Sequence, residues 1–252
     1  MRKKTARILL IAMALLLPAC SSIAGTASNS KYDGLPLTGP MNTAYGPVAG
    51  VVSRDGLLVF LGIPYASAER FQPPSEPQRH EDVFQASRFG AISCQMRDII
   101  EASSGYLQGE DCLNLTIWTP GADSGKRPVM VFIHGGGFIS GSSADPYYDG
   151  SDLAKHGNLV FVSINYRLGA LGYLYLENTP GEKFSNGNCG LLDQIAALKW
   201  VKQNIANFGG DPANVTLMGE SAGAISATTI MSLPSARGLF QRVIAQSGTL
   251  HL

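Results

Sequence analysis

Two short runs of apolar residues most strongly constrain the fold of this chain. Residues 129–133 and 159–164 are almost free of polar side chains, as expected for strands that are buried on both faces of a sheet. Such strands usually belong to a parallel sheet, because its crossover connections place helices on both faces. Residues 113–119 predict another strand, and the β-rich runs at 48–52 and 57–61 predict an antiparallel hairpin.

Strands and helices alternate in the second half of the chain. Apolar residues recur at helical spacing from Gly190 to Ala206, and Phe208-Gly209-Gly210-Asp211-Pro212 is predicted to end that helix. Residues 215–218 then predict a strand, 222–231 a helix, and 243–246 the start of another strand. Because this order is typical of α/β proteins, the sequence predicts an α/β fold.

The charge balance argues against nucleic-acid binding. The 252 residues include 19 Lys+Arg and 19 Asp+Glu. Residues 1–19 hold four of the basic side chains and no acidic one, so the remainder carries 15 basic against 19 acidic side chains. A nucleic-acid-binding protein needs a basic surface field, which this remainder lacks. The apolar fraction of 45% also excludes a disordered charged tail and fits a folded chain of one or two domains.

The first 19 residues are predicted to be a signal peptide. A basic segment at 2–7 precedes an apolar stretch of 11 residues at 8–18, whereas a helix needs about 20 residues to cross a bilayer. This pattern is typical of a secretory signal. We therefore expect an exported protein, either a periplasmic or cell-surface lipoprotein or a secreted protein.

The residues after the apolar stretch favour lipidation. Leu17-Pro18-Ala19-Cys20 resembles a bacterial lipoprotein processing site, in which Cys20 becomes the first residue and carries a lipid that anchors the protein to a membrane. Cleavage of an ordinary signal peptide after Ala19 or Ala24 is the alternative. Residues 20–40 are rich in Ser, Gly, Thr and Asn and predict a flexible tether. Residues 41–252 are then the folded part.

The four cysteines are Cys20, Cys94, Cys112 and Cys189. Cys94 and Cys112 are 18 residues apart, and a disulfide that closes a loop of this size contributes about 3 kcal/mol in the chain-entropy model. Exported proteins can form disulfides, but the spacing is equally compatible with two free buried thiols. Cys189 has no evident partner if that pair forms. No Cys and His residues have the spacing of zinc ligands, so the sequence predicts no metal site.

A motif between a predicted strand and a predicted helix carries candidate chemistry. Gly219-Glu220-Ser221-Ala222-Gly223 matches the nucleophile elbow G-x-S-x-G. A sharp strand-to-helix turn forces the serine into a strained backbone conformation, and the glycines let neighbouring chain segments pass closely. The turn also places Ser221 at a helix N-terminus, where backbone N–H groups favour negative charge. The motif therefore predicts that Ser221 is a catalytic nucleophile.

A glycine run follows the strand predicted at 129–133. His134-Gly135-Gly136-Gly137 lets the main chain approach a substrate closely and donate N–H groups to an oxygen that gains negative charge. One such donor lowers the barrier by about 3 kcal/mol. A glycine-rich turn that only connects two elements is the alternative, which the presence of the Ser221 motif disfavours. His134 itself is expected to be structural.

With these residues, the chain resembles the type B carboxylesterases, which include cholinesterases and bacterial para-nitrobenzyl esterases. The matches run in order from about Tyr45 to Gly248. They comprise Phe60-Leu61-Gly62-Ile63-Pro64-Tyr65-Ala66, Arg70-Phe71, Phe89-Gly90, Glu110-Asp111-Cys112-Leu113-Asn114-Leu115, the run from His134 to Phe138, Asn165-Tyr166-Arg167, Gly190-Leu191-Leu192-Asp193-Gln194 and residues 208–223. The segment after Ala66 lacks the family's Pro-Pro-x-Gly stretch, and Cys189 is an uncommon residue before Gly190.

The resemblance implies an α/β-hydrolase fold, with a central, mostly parallel sheet and helices on both faces. It also implies hydrolysis of a small carboxylic ester through an acyl-serine intermediate, without a metal or organic cofactor. The implied roles are Ser221 as nucleophile, Gly136, Gly137 and Ala222 as oxyanion-hole donors, Glu220 as an acid near the active site, a disulfide between Cys94 and Cys112, and a buried ion pair between Arg70 and Glu110.

The other members of a catalytic triad are not found after Ser221. In this fold the triad follows the order serine, acid, histidine. Only 31 residues follow Ser221, and they include no Asp, no Glu and a single histidine, His251, which has no partner acid. We therefore expect the N-terminal half of an esterase, inactive by itself, whose sheet stops after the strand at 243–246. A split esterase completed by another chain and a non-catalytic cholinesterase-like binding module are the alternatives. The intact Ser221 motif argues against the binding module.

Overall fold

The computed structural model describes residues 31–96, 105–176 and 187–248. The predictions for the signal peptide at 1–19, for Cys20, for the first part of the tether and for His251 lie outside these residues. In the described ranges, no helix combines the length and apolarity needed to cross a bilayer. The same ranges include no group of three or more His, Cys, Asp or Glu residues that could hold a metal ion.

The described residues form twelve strands and four α-helices. The strands are β1 (Met41–Thr43), β2 (Gly46–Ala49), β3 (Val51–Val52), β4 (Leu58–Pro64), β5 (Phe84–Gln85), β6 (Ile92–Ser93), β7 (Gln108–Gly109), β8 (Asn114–Thr119), β9 (Arg127–Ile133), β10 (Val160–Ile164), β11 (Gly210–Glu220) and β12 (Arg242–Gln246). The helices are α1 (Ser151–Gly157), α2 (Gly169–Tyr173), α3 (Cys189–Asn204) and α4 (Ala222–Ser232), with short 3-10 helices at Pro146–Tyr148, Ile205–Phe208 and Pro234–Ala236.

Seven strands form one large sheet in the order β12-β11-β9-β10-β8-β4-β3, flanked by the small sheets β1-β2-β5 and β6-β7. Strands β12, β11, β9 and β10 pair in parallel, and each step between them along the chain includes a helix, as a parallel crossover requires. Strands β10, β8, β4 and β3 pair antiparallel. The sheet is therefore mixed rather than mostly parallel.

The antiparallel half of the sheet includes the predicted hairpin. Strands β3 and β4 are joined by a tight turn, in which the Ser53 N–H donates to the carbonyl oxygen of Leu57 (2.8 Å). A turn this short can join only antiparallel strands, because parallel strands need a long crossover. The hairpin predicted at 48–61 is confirmed, although Gly50 separates β2 from β3.

Helices cover both faces of the large sheet, as predicted. On one face, Ala154 of α1 packs in a buried cluster with Trp118 and Phe161. On the other face, residues of α3 and α4 pack in a second cluster that includes Val131 and Val162. Alternate residues of a strand point to opposite faces, so neighbouring residues of β10 belong to different clusters and all five of its residues are buried.

The helix predicted at 190–206 corresponds to α3 and the 3-10 helix that follows it. Gly209 ends this segment in the left-handed conformation with φ 79°, the usual role of glycine after a helix C-terminus. The strand predicted at 215–218 is longer in the structure, since β11 begins at Gly210 with an irregular register between Gly210 and Val215. The helix predicted at 222–231 and the strand at 243–246 are confirmed as α4 and β12.

The flexible tether predicted at 20–40 is wrong for its described part, residues 31–40. Tyr32 is buried, and the indole N–H of Trp118 donates to its hydroxyl oxygen (2.7 Å). The Val52 N–H donates to the carbonyl oxygen of Pro36 (2.8 Å), and the Thr38 N–H donates to that of Gly50 (3.0 Å). These contacts attach the segment to the edge strand β3 through Val52 and to the interior strand β8 through Trp118.

Candidate active site

Ser221 lies in the sharp turn between β11 and α4. Its backbone has φ 52° and ψ −118°, a positive-φ conformation that favours glycine and is strained for any residue with a side chain. The Ser221 N–H donates to the carbonyl oxygen of Gln246 at the end of β12 (2.8 Å), which holds the turn against the sheet. The strained turn predicted from the G-x-S-x-G motif is confirmed.

Two glycines make this turn sterically accessible. A Cβ atom on Gly219 would overlap the backbone of Gly223, and a Cβ atom on Gly223 would overlap the carbonyl oxygen of Ile133 at the end of β9. Only glycine can be accommodated at such distances without moving the backbone. Because these two glycines have no side chains, the N-terminus of α4 lies next to the residues that follow β9.

Residues 135–141, which follow β9, form a tight loop that we call the glycine loop. Gly136 has φ 104°, and its carbonyl oxygen accepts hydrogen bonds from the N–H groups of Ile139 (3.1 Å) and Ser140 (3.0 Å). A Cβ atom built on Gly135 would lie 3.1 Å from the Cβ atom of Ser221. The glycine loop therefore packs directly against the Ser221 turn.

Hydrogen bonds to the carbonyl groups of the glycine loop determine where its N–H groups point. The described peptide bonds include no cis bond, and the C=O and N–H groups of a trans peptide point in opposite directions. His134 Nδ1 donates to the carbonyl oxygen of Gly135 (2.8 Å), which directs the Gly136 N–H away from His134. Ser140 Oγ donates to the carbonyl oxygen of Gly136 (3.1 Å), which directs the Gly137 N–H away from Ser140.

Three N–H groups near Ser221 have no acceptor in the part of the chain that the structure describes. They belong to Gly136, Gly137 and Ala222. Ala222 is the first residue of the 11-residue helix α4, so its N–H has no partner within the helix. The helix dipole favours negative charge at the same end. The arrangement can therefore stabilise an oxygen anion next to Ser221.

His134 is a structural residue, as the sequence predicted. It is buried, and its ring stacks on Tyr166 with ring centroids 4.5 Å apart. The Tyr166 hydroxyl donates to the carbonyl oxygen of His134 (2.9 Å). Burial lowers the pKa of His134 to about 4, so the imidazole is neutral near pH 7 and its N–H is the one on Nδ1. His134 thus orients the glycine loop and is not a base for Ser221.

The described residues supply Ser221 with no general base. His80 is half-buried, and its Nδ1 donates to the carbonyl oxygen of Asp82 (2.7 Å). His156 is exposed on α1. Neither these two histidines nor His134 forms a hydrogen bond with Ser221 Oγ within the described ranges. The structure thus brings the predicted nucleophile and N–H donors together without a base.

Glu220 lies between the Ser221 turn and the glycine loop. A Cβ atom on Gly135 would overlap Glu220 Oε2, so the carboxylate is next to the first residue of the loop. Tyr148 lies nearby as well, since burial and then the Glu220 carboxylate raise the pKa of its hydroxyl. The ring of Tyr148 packs against Phe132 of β9 (4.8 Å between centroids). Glu220 is near the site as the resemblance implied, whereas Tyr148 was not predicted.

Arg70 and Glu110, for which the resemblance implied a buried ion pair, lie within ion-pair distance but are not fully buried. Arg70 Nε lies 2.8 Å from Glu110 Oε1, and the two side chains are 26% and 29% exposed. A second ion pair, which was not predicted, is buried instead. Arg167 Nη2 lies 2.7 Å from Asp193 Oδ1, and these side chains are 4% and 0% exposed. Both partners belong to matched family motifs, but no local pattern in the sequence pairs them.

The disulfide implied for Cys94 and Cys112 is wrong for this structure, because Cys112 carries a free thiol. Cys112 is completely buried in the core. Burial raises the pKa of its thiol to about 12, and a hydrogen bond with the Ser93 side chain opposes this only in part. The thiolate needed for disulfide exchange is therefore strongly disfavoured. Cys189 is also a free buried thiol, and its Sγ donates to the carbonyl oxygen of Gln72 (3.4 Å).

Comparison with known proteins shows which family the chain resembles. The model of the carboxylesterase family matches residues 39–252. The para-nitrobenzyl esterase of Bacillus subtilis (strain 168) is 46% identical over 214 residues, which cover 82% of this chain and 43% of that protein. The liver carboxylesterase of Sus scrofa is 42% identical over 245 residues, which cover 88% of this chain and 42% of that protein.

A solved structure of a thermophilic pNB esterase has a similar fold. It matches with a TM-score of 0.78 at 44% sequence identity, over 83% of this chain and 44% of that chain. The chain thus spans less than half the length of the relatives that it matches. The family match and the structural match together show that this chain has the α/β-hydrolase fold and belongs to the carboxylesterase family.

Proposed function

We propose that this chain supplies the nucleophile and the oxyanion-hole donors of a serine esterase that hydrolyses small carboxylic esters. The observation that carries the proposal is the strained turn of Ser221 at the N-terminus of α4, next to the partnerless N–H groups of Gly136, Gly137 and Ala222. Backbone strain in such a turn costs about 1–3 kcal/mol, and a catalytic role for Ser221 explains why the fold contains it.

The reaction begins when Ser221 Oγ attacks the carbonyl carbon of the ester while a histidine accepts the hydroxyl proton. The carbonyl oxygen becomes an anion and accepts hydrogen bonds from the N–H groups of Gly136, Gly137 and Ala222. The C–O bond to the alcohol then breaks, and the histidine returns the proton to the leaving alkoxide. Water hydrolyses the resulting acyl-Ser221 in the same two stages and releases the carboxylic acid. The reaction needs no metal or organic cofactor.

The histidine and the carboxylate of the triad come from outside the described residues in this proposal. We expect them in a longer polypeptide, with a separate complementing chain as the alternative outcome. The 252-residue chain alone is then expected to lack turnover, because loss of the histidine removes the base for Ser221. Adding a separately expressed C-terminal half would restore turnover only in the split arrangement.

The test uses the full-length protein with p-nitrophenyl acetate as substrate. Ser221→Ala is expected to lower turnover by about a million-fold, that is, to background. Ser232→Ala is the matched control, because Ser232 is exposed at the other end of α4 and its hydroxyl donates to the Thr229 carbonyl oxygen (2.7 Å). Ser221→Ala protein that keeps near wild-type turnover would contradict the assignment.

We also propose that the protein is exported and anchored to a membrane through a lipid on Cys20. The basic segment and short apolar stretch before Cys20 support this proposal. Cys20→Ser is expected to move the protein from the membrane fraction to the soluble fraction of fractionated cells. An unchanged distribution would instead favour an ordinary secretory signal that is cleaved nearby.

A further inference from the structure

Gln95 binds the far end of the glycine loop with its side-chain amide. Gln95 Oε1 accepts the Gly141 N–H (2.8 Å), and Gln95 Nε2 donates to the Gly141 carbonyl oxygen (3.0 Å). The same Nε2 also donates to the carbonyl oxygen of Ser93 (3.1 Å). Because the amide has two donor hydrogens, both are used. The two hydrogen bonds between Gln95 and Gly141, one donated and one accepted, have the same pattern as those of a pair in a β-ladder, although the residues are 46 positions apart.

Gln108 holds the backbone of Gln95 in place. The Gln95 backbone N–H donates to Gln108 Oε1 (3.0 Å), and Gln108 is only 4% exposed. Gln108 belongs to β7, which pairs in parallel with β6 just before Gln95. The backbone of Gln95 is therefore held by Gln108, so its side chain contacts Gly141 from a fixed point.

Gly141 packs against the groups that orient the N–H donors. A Cβ atom on Gly141 would lie 2.5 Å from His134 Nδ1 and 2.6 Å from the carbonyl oxygen of Gly135. These two atoms form the hydrogen bond that directs the Gly136 N–H. A displacement of Gly141 would therefore move the Gly135–Gly136 peptide, even though Gln95 contacts neither Gly136 nor Ser221.

We propose that Gln95 is a positioning residue for the oxyanion-hole donors of this site. The inference rests on the proposed ester hydrolysis. Gln95 acts through Gly141 on the direction of the Gly136 and Gly137 N–H groups, which matter most when the substrate oxygen carries negative charge. Its loss should therefore affect the transition state more than the bound substrate.

The test compares Gln95→Leu with the wild type in the full-length protein. Leucine has a similar size and forms no hydrogen bond. With p-nitrophenyl acetate, kcat is expected to fall roughly 10- to 100-fold, because a small misplacement of oriented groups has effects of this order. KM is expected to change by less than about threefold, since an interaction made mainly in the transition state is removed.

A second measurement does not depend on activity. Amide hydrogen exchange of peptides from residues 134–142 is expected to become at least about tenfold faster in Gln95→Leu. In this variant the two hydrogen bonds to Gly141 are absent, so local opening of the loop costs less free energy. Gln95→Glu keeps the acceptor for the Gly141 N–H but places a carboxylate oxygen against the Gly141 carbonyl. It is expected to lower kcat as Gln95→Leu does. If Gln95→Leu does not fold, Gln95→Glu replaces it in both measurements.

Gln241→Leu is the matched control. Gln241 Oε1 also accepts a backbone N–H, that of Val215 (2.7 Å), but Val215 pairs with Val129, four residues before the end of β9 and the start of the loop. Unchanged exchange and unchanged kcat in both Gln95 variants would overturn the inference, as would an equal loss of kcat in Gln241→Leu. A wild-type protein without Ser221-dependent turnover would contradict the proposed function instead, and hydrogen exchange would still test whether Gln95 holds the loop.

Discussion

The Ser221 turn and the glycine loop lie against each other, but contacts of different range determine their backbone geometry. In the turn, the close approach depends on Gly219 and Gly223, which lie within two residues of Ser221. In the glycine loop, the positions of the N–H groups depend on residues such as Tyr166 and Gln95, which come from other parts of the chain. A five-residue motif can thus encode a strained turn, whereas the direction of the loop's N–H groups requires the assembled fold.

The largest expected effect tests whether the turn depends on its own glycines. Helix propensity alone predicts that Gly223→Ala stabilises α4 by about 1 kcal/mol. The structure predicts the opposite, because the new Cβ would overlap the Ile133 carbonyl oxygen. We expect the free energy of unfolding to fall by more than about 3 kcal/mol, as measured by urea unfolding.

Gly39→Ala is the control for this substitution. A Cβ atom on Gly39 would meet no atom within 4 Å, so this variant should have nearly wild-type stability. If Gly223→Ala were as stable as Gly39→Ala, the close approach of α4 to β9 would not constrain the turn.

The second expected effect tests the dependence of the glycine loop on the neutral form of His134. An unfolded histidine has a pKa of about 6.5, whereas burial holds that of folded His134 at about 4. Between these values the unfolded chain binds more protons, so stability rises with pH. The contribution of His134 is fully present above about pH 6.5, and up to roughly 3 kcal/mol of it is lost as the pH falls to about 4.

Urea unfolding between pH 4 and pH 7.5 measures this contribution. The difference in stability between the wild type and His134→Gln is expected to narrow as the pH falls. His156→Gln is the control, because His156 is exposed on α1, and its difference from the wild type is expected to stay nearly constant. Parallel pH dependences for the wild type and His134→Gln would show that burial of the neutral imidazole contributes nothing.

The smallest expected effect measures the strain of the Ser221 turn. Ser221→Gly and Ser221→Ala both remove the nucleophile, but only glycine accepts φ 52° without strain. We expect Ser221→Gly to be more stable than Ser221→Ala by about 1 kcal/mol, after the larger backbone entropy of unfolded glycine is included. Equal stability of the two variants, measured by thermal unfolding, would mean that the turn stores little strain.

Patterns within short segments predicted most of the fold. The apolar runs that became β9 and β10 and the helical spacing of α3 are local properties, and they appear in the structure with end shifts of a few residues. The proportion of parallel strands was not predicted correctly, because the pairing of β8 with β10 depends on how distant segments meet. The position of residues 31–40 was missed for the same reason, since the hydroxyl of Tyr32 bonds with Trp118 and Asp149, which are 86 and 117 positions away.

The sequence by itself determined the strained turn at Ser221 and the glycine run after β9, because each depends on residues that are close together along the chain. It also determined the family, because short motifs in a fixed order carry the resemblance. Only the tertiary structure decided that Arg167 pairs with Asp193 inside the core, that Cys112 remains a buried thiol, and that Gln95 holds Gly141. Burial and hydrogen-bond partners arise when segments far apart in the sequence pack together, and no spacing within one segment contains that information.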